Sequence, residues 1–381
     1  MRKLKHIHRQ FQLKQESEWQ PVIHLSTAKS WRGGEQQLVY LYDELVKSGI
    51  PQLIVCRKGS ELAKRCEEKQ RNYIAIPKRS STDVFAAKKL KKICRYFNAG
   101  VIHTHDAHAH TTAFLSHSLF GNNTPIIVSR RVDFPIKNNK MSHMKYNYRG
   151  IAAILCVSDK IKEITARGVR DTNKLFTVYS GIDLSRFSNL PGKNQLRDEY
   201  NIPQDQLLIG NVSALAPHKD YFTFIDTVEK LPDLKATFFI IGEGELKLEL
   251  NEYAKEKGVE ERIIFTGFRT DILPVLTSLD IFLITSKTEG LGTSILDAFA
   301  CGVPVVATKA GGIPELVEHE KTGLLADVGD SRTLAEQILR IANDKGLSNQ
   351  LVKGAKQKLQ QFTREQTAQK TLQVYERVMR M

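Results

Sequence analysis

Four residues carry the plainest chemistry in this chain: Glu289, Gly290, Gly292 and, eight positions after the first, Asp297. The glycines let backbone come close to a ligand. The amides around Leu291, Thr293 and Ser294 open a helix pattern, whose dipole and unpaired N–H groups favour an anion. A carboxylate on either side of that anion site can accept hydrogen bonds from hydroxyls. A ligand that meets these demands has phosphate at its middle and hydroxyl-rich ends, which describes a nucleotide sugar. The competing reading has the glycines serving a tight turn and the carboxylates standing in solvent. The further glycine pair in the run from Gly311 to Glu315 shifts the balance toward the ligand.

The elements that must position these residues are legible on both sides. An apolar run, Asp280 to Ile284, has the length and β-branched character of a buried strand. A helix pattern starts near Thr293, places Ile295, Leu296 and Phe299 on one face, and closes at Cys301-Gly302-Val303-Pro304 before a second strand from Val303 to Ala307. The same alternation fills the first half. Strands are expected at Val22 to Ser26, Gln52 to Cys56, Tyr73 to Ile76, Val101 to His105, Pro125 to Ser129, Ala152 to Val157 and Leu175 to Tyr179, with amphipathic helices between them. Such a rhythm implies α/β architecture with parallel sheets covered on both faces, and ligands at the carboxyl ends of the strands.

The run EGLGTSILDAFACGVPVVATKAGGIPELV, from Glu289 to Val317, closely resembles the donor-site segment of the retaining GT-B glycosyltransferases of glycosyltransferase family 4. The resemblance extends from about Val22 over nearly the whole chain. It implies a GT-B fold, two Rossmann-like doubly wound parallel-sheet domains facing across a cleft. In that family a Glu-x7-Glu pair frames the donor, so Glu289 would reach the transferred sugar and Asp297, shorter than the usual Glu, the ribose. The amides of Gly290, Leu291, Gly292 and Thr293 would hold the diphosphate. A cationic clamp commonly reads Gly-Arg-Leu-x-x-x-Lys; here Lys219 matches while Ala214 stands at the Arg position, which leaves Arg32 or Arg130 as candidates for the missing charge. Gly242 would let the chain pass close to the diphosphate or base, and Phe268-Arg269 would hold the base through backbone groups. The resemblance further implies retention of configuration.

Other candidates sit at the strand ends of the first half. Gly33 and Gly34 open a helix and can point N–H groups at an anion. HTHDAHAH, from His103 to His110, places four imidazoles after a strand. Without an accompanying cysteine, the run is read as offering hydrogen bonds to sugar hydroxyls rather than holding a metal. His105 is grouped with Glu289 and Lys219 at the chemistry. His103, Arg130, Arg131 and Asp133 are assigned to the acceptor, with an Arg131–Asp133 salt bridge as the purely structural alternative. No Asp-x-Asp motif is present, and no cofactor is expected beyond the nucleotide-diphosphate sugar itself.

Composition bounds the rest. The chain has 381 residues, 41% hydrophobic and 26% charged, which suits two soluble domains. The expected division is a basic tail at 1–20, an acceptor domain at 21–190, a donor domain at 191–365, and a last helix at 366–381 packing back on the first domain. Residues 1–190 hold 33 Lys+Arg against 15 Asp+Glu, whereas 191–381 hold 23 against 27. The basic character therefore belongs to one half. It suggests an acidic acceptor, an anionic membrane surface or nucleic acid, and recognised nucleic-acid motifs are absent. No apolar run reaches the length of a membrane span and the first residues are too polar for a secretory signal, so the expected place is the cytoplasm, either free there or peripheral to the inner face of the membrane. Five scattered cysteines match no metal or redox spacing and read as reduced thiols. The expected partners are a nucleotide-sugar donor and an envelope glycan or glycolipid acceptor. A sugar-nucleotide epimerase or hydrolase of the same architecture is the rival enzyme, and a nucleic-acid-binding protein the rival of another class.

Overall fold

A computed structural model describes residues 19–80 and 82–380. The chain divides into two compact units, one of residues 1–181 and 364–381, the other of residues 182–363. The basic tail at 1–20 lies, except for Trp19 and Gln20, outside the described residues.

In the first unit, strands β1 (Val22–Ser26), β2 (Gln52–Arg57), β3 (Tyr73–Ile76), β4 (Val101–Thr104), β5 (Ile126–Arg130), β6 (Ile151–Cys156) and β7 (Leu175–Thr177) pair in the order β3-β2-β1-β4-β5-β6-β7. Every pairing is parallel. Helices α1 (Gly33–Lys47), α2 (Glu61–Glu68), α3 (Val84–Phe97), α4 (Ala107–Phe120), α5 (Lys140–Tyr146) and α6 (Asp159–Ala166) form the connections. β1 is buried along its whole length, as a central strand covered on both faces must be. Helix starts are written into the sequence: Asp83, Asp106 and Ser158 accept hydrogen bonds from first-turn amides of α3, α4 and α6. Because β2 and β3 lie on one side of β1 and β4 to β7 on the other, the order reverses between β1 and β4. Crevices open at such a reversal.

The second unit repeats the plan with six strands. These are β8 (Leu207–Val212), β9 (Ala236–Ile241), β10 (Ile263–Gly267), β11 (Ile281–Ile284), β12 (Val305–Thr308) and β13 (Leu324–Ala326), in the order β10-β9-β8-β11-β12-β13. Its helices are α7 (Gln195–Tyr200), α8 (Tyr221–Glu229), α9 (Lys247–Glu256), α10 (Ile272–Ser278), α11 (Thr293–Cys301), α12 (Ile313–Leu316), α13 (Ser331–Asn343) and α14 (Lys345–Leu359). One face of its core gathers Tyr221, Phe224, Phe238, Ile281 and Leu283. Here the order reverses between β8 and β11, whose following loops carry Lys219 and Glu289.

The unit boundary falls at Gly181/Ile182 rather than near 190, because the 3-10 turn Leu184–Phe187 packs on α11. Where a last helix is expected at 366–381, the structure has α15 (Arg364–Met379), directly preceded by α14. α15 belongs to the first unit, where it lies against α1 and buries Val374, Tyr375 and Val378 beside Val22, Ile127 and Leu155. All five cysteines are buried and none is in a disulfide. No helix among the described residues is long and apolar enough to cross a membrane.

Candidate functional site

The β8–β11 reversal brings together residues that are 70 positions apart in sequence. After β8 the chain makes a short 3-10 turn, Pro217–Lys219, and Asp220 adopts a left-handed conformation that starts α8. After β11, Thr285 bonds back to the carbonyls of Lys219 (3.3 Å) and Asp220 (2.9 Å), and the Lys287 amide donates to the His218 carbonyl at 2.9 Å. These bonds lock the two loops side by side. The Lys219 ammonium donates to Oε1 of Glu289, and Ser286 donates to the same oxygen at 2.9 Å. Both side chains of the ion pair are largely enclosed, at 16% and 10% exposed. Ser286, which the sequence reading passed over, is thus the residue that fixes the Glu289 rotamer. Its signal is its place three positions ahead of Glu289 at the strand end.

Gly311 closes this loop from behind. A Cβ on it would stand 1.9 Å from the Glu289 carbonyl, its φ is +52°, and the Gly312 amide donates to that carbonyl at 3.0 Å. The second glycine pair therefore serves to seat Glu289. Gly292, at φ +85°, turns the chain into α11, whose first turn has no side-chain cap. Leu291 is buried, while Thr293 is half-buried at the helix start. The N-terminal amides of α11 thus follow directly on the loop that carries Glu289.

Asp297 lies one turn further along α11. Its Oδ1 is buried without a hydrogen-bond partner, and desolvation pushes its carboxyl up to about 6, against a smaller opposing pull from the Arg186 charge. A buried carboxylate oxygen with no donor is costly and marks a place where a hydroxyl would be welcome.

Two other donor-side residues make contacts within the protein itself. Gly242, at φ +150°, is required because a Cβ there would meet the Ser213 carbonyl at 2.0 Å, so its close approach is to the β8 loop. The Arg269 guanidinium is committed to Asp271 (2.9 Å through Nε) and Glu199 (2.6 Å), leaving only backbone groups to offer a base. Phe268 beside it is 75% exposed.

In the first unit the imidazoles turn inward. Gln52 donates to the Tyr42 carbonyl at 2.7 Å, so its oxygen faces Nε2 of His24 at 3.0 Å and that nitrogen carries the proton. Nδ1 of His24 must then accept from Nε2 of His105 at 3.1 Å. This leaves Nδ1 of His105 a bare acceptor, buried and unpartnered. His103 bonds Tyr375 of α15 at 2.6 Å and Ser129 at 2.8 Å, which occupies both of its ring nitrogens. His103 is therefore a tie between the sheet and α15, not an acceptor contact. Burial holds all three rings neutral, His24 at about 4 and His103 and His105 well below the usual imidazole range. Ring nitrogens of the three lie within 4.8 Å of one another, the spacing of a metal-ligand group. A metal there would have to displace the His24–His105 hydrogen bond beside the Arg131 charge, which already acts on both His103 and His105.

Arg130 is likewise corrected. Its guanidinium donates to Thr165 (3.2 Å), Tyr146 (2.9 Å) and the Phe134 carbonyl, so it supports the segment after β5 from inside. Arg131 donates to Ser180 at 2.9 Å, its Nε is buried without a partner, and desolvation lowers it to about 10. No ion pair joins Arg131 to Asp133 among the described residues, which removes the purely structural explanation for that pair. Gly33 has open space around it and Gly34 nothing nearer than the His105 carbonyl at 4.0 Å, so neither glycine is required sterically at the start of α1. The sequence reading also missed Lys78 and Lys145. Both are desolvated and donate to Thr112 and Thr111 on the first turns of α4, at 2.9 and 3.2 Å.

Comparison with known proteins gives a consistent picture. A family model described as Glycosyl transferases group 1 matches residues 192–358, and one described as Glycosyltransferase Family 4 matches residues 31–186. Among curated proteins, N-acetyl-alpha-D-glucosaminyl L-malate synthase of Bacillus anthracis is 25% identical over 305 residues, 78% of this chain and 80% of its own length. The lipopolysaccharide core biosynthesis glycosyltransferase LpsD of Rhizobium meliloti is 25% identical over 338 residues, 86% of this chain and 90% of its own. Among solved structures, a glycosyltransferase from Rickettsia africae superposes with a TM-score of 0.84 at 18% identity, over 95% of this chain and 99% of that one. Anabaena HepE, solved with UDP-glucose, gives 0.81 at 21% identity, over 95% and 100%.

Proposed function

We propose that the chain, whose two halves match the Glycosyl transferases group 1 and Glycosyltransferase Family 4 models, is a GT-B glycosyltransferase that uses a nucleotide-sugar donor for a retaining, metal-independent transfer of a hexosyl or heptosyl unit. The acceptor would be a bacterial envelope glycan or glycolipid, such as a phosphorylated lipopolysaccharide core or a polyprenyl-linked sugar, met at the inner face of the cytoplasmic membrane. The observation that carries this reading is the Lys219–Glu289 pair, held by Ser286 in the loop that opens α11. As the glycosidic bond breaks, the diphosphate gains negative charge; Lys219 and the amides of Gly292 and Thr293 are placed to counter it more strongly in the transition state than before it. Glu289 takes the donor sugar's hydroxyls and Asp297 those of the ribose. His105, through its bare Nδ1, and Arg131 and Asp133 are the first-unit groups offered to the acceptor. Curated relatives acting on lipopolysaccharide core and on a diphosphoundecaprenol-linked sugar support the acceptor class.

The test is nucleoside diphosphate release from UDP- and GDP-sugars, with and without a bacterial glycolipid extract. Release that depends on the extract, with an α-linked product from an α-linked donor, is expected. Consumption of donor at the same rate without extract would mark an epimerase or hydrolase, and an inverted product would remove the retaining assignment.

Asp297 supplies a second test. Its folded carboxyl, near 6, lies above the unfolded value of 3.8, so the native state keeps a proton that the unfolded chain has lost. Stability from this group is therefore highest below pH 4, falls between about pH 4 and 6, and stays low above. Asp297→Asn should raise thermal stability at pH 8, by on the order of 1–2 kcal/mol after discounting for partial exposure, leave it unchanged at pH 4, and weaken UDP binding. Equal melting shifts at both pH values would contradict the unpartnered-carboxylate account.

A further inference from the structure

We infer that a concavity on the first unit, lined by Lys140, Arg149, Arg167 and Arg170, docks the phosphate headgroups of an anionic phospholipid bilayer. The cavity measures about 720 Å³, and no carboxylate is among its lining residues. Lys140, Arg149 and Arg170 make no ion pair among the described residues. Arg167 meets only Glu163, an exposed partner one helical turn away, with which water competes. Three cations without a carboxylate partner and one exposed, weakly paired arginine are thus gathered around one concavity.

The concavity is built rather than incidental. The Asn147 side chain donates to the Gly168 carbonyl at 2.9 Å and accepts from the Arg170 amide at 2.7 Å, which pins the loop after α6 to the segment after α5. Gly168 lets that loop sit against Ile136, since a Cβ would come within 3.0 Å of it.

A bilayer suits this surface better than a free anion. Met144 and Tyr148 also line the cavity, and Met141, Met144 and Phe134 on the segment after β5 are 56%, 46% and 53% exposed. Apolar side chains beside cations are what an interfacial surface presents to lipid, the chains entering the acyl boundary while the cations meet phosphate. The volume also exceeds a single phosphate. The place differs from the site described above: the segment 147–150 leads into β6 and the segment 167–174 into β7, so the concavity lies toward the amino ends of these strands, whereas Lys78, His105 and Arg131 follow carboxyl ends.

This inference rests on the reading that the acceptor is met at a membrane, and the experiment separates the two. Full-length protein is sedimented with phosphatidylglycerol vesicles and with phosphatidylcholine vesicles, at low and high salt, with and without inorganic phosphate as competitor. Three forms are compared: wild type, a Lys140→Ala/Arg149→Ala/Arg170→Ala variant, and a Lys88→Ala/Lys89→Ala/Lys92→Ala variant of the similarly basic α3. Wild type is expected on phosphatidylglycerol only. The cavity variant should lose at least about fivefold in bound fraction while its melting shift with UDP is retained, and the α3 variant should bind as wild type does. Wild type that ignores both vesicles overturns the membrane reading and this site together. A cavity variant that binds like wild type overturns this site alone. Displacement of wild type by millimolar phosphate at constant ionic strength would overturn the bilayer assignment in favour of a free-anion site.

Discussion

Glu289→Ala and Lys219→Ala proteins are each expected to lose at least about a hundredfold in sugar-transfer rate, the scale of removing one transition-state contact from an enclosed site. The expectation comes from the geometry of the pair. Lys219 stands on the turn after β8 and Glu289 on the loop after β11, and each is the other's charge partner in a place largely closed to water. Removing either leaves an uncompensated charge, so part of the loss is structural. Glu289→Gln narrows that part, since it keeps the side-chain length and an oxygen that can accept from Ser286 and Lys219 while deleting the carboxylate charge. It should melt above Glu289→Ala, though below wild type, and remain as slow as the alanine variant. Near-normal rates in all three variants would show that the donor is gripped elsewhere.

Gly311→Ala is expected to be nearly as damaging to transfer although Gly311 touches no substrate. Two effects add: a left-handed backbone that costs an L-residue roughly 1–2 kcal/mol, and a methyl group 1.9 Å from the Glu289 carbonyl. The second cannot be relieved without moving the loop that carries the carboxylate. Gly329 is the control, because it shares the left-handed backbone, at φ +81°, but has open space around it. Gly329→Ala should lower the melting temperature by only a few degrees and leave the rate alone. If both variants behave alike, backbone strain alone accounts for Gly311 and the seating role fails.

What could be seen in the sequence divides along a physical line. β11, α11 and β12 were legible because apolar periodicity, glycine and proline are local signals. The expected helix start near Thr293 and end at Cys301 coincide with α11. The two-sheet α/β architecture followed from the same rhythm. The direction in which a strand-end side chain turns is set instead by partners distant in sequence. His103 is held by Tyr375, 272 positions later, and Arg130 by Tyr146 and Thr165, so neither inward orientation had any local trace. Gly242 shows the same limit: the sequence announces that something must come close, but only the fold reveals that it is the Ser213 carbonyl. The basic bias of the first half was plain in composition, whereas its gathering between α5 and the loop after α6 depends on Asn147 bridging two loops.

The placement of α15 bears on how the protein is made. The second unit is contiguous and can close once its own residues have been synthesised. The first unit begins earlier yet is completed later, because Tyr375 and Val378 are synthesised only after the whole of the second unit. Until then, Val22, Ile127, Leu155 and the His103 ring lack their cover. The half that starts first must therefore wait, with an open apolar flank, for a helix encoded after the entire second unit, and a chain halted before it would expose that flank to chaperones and proteases.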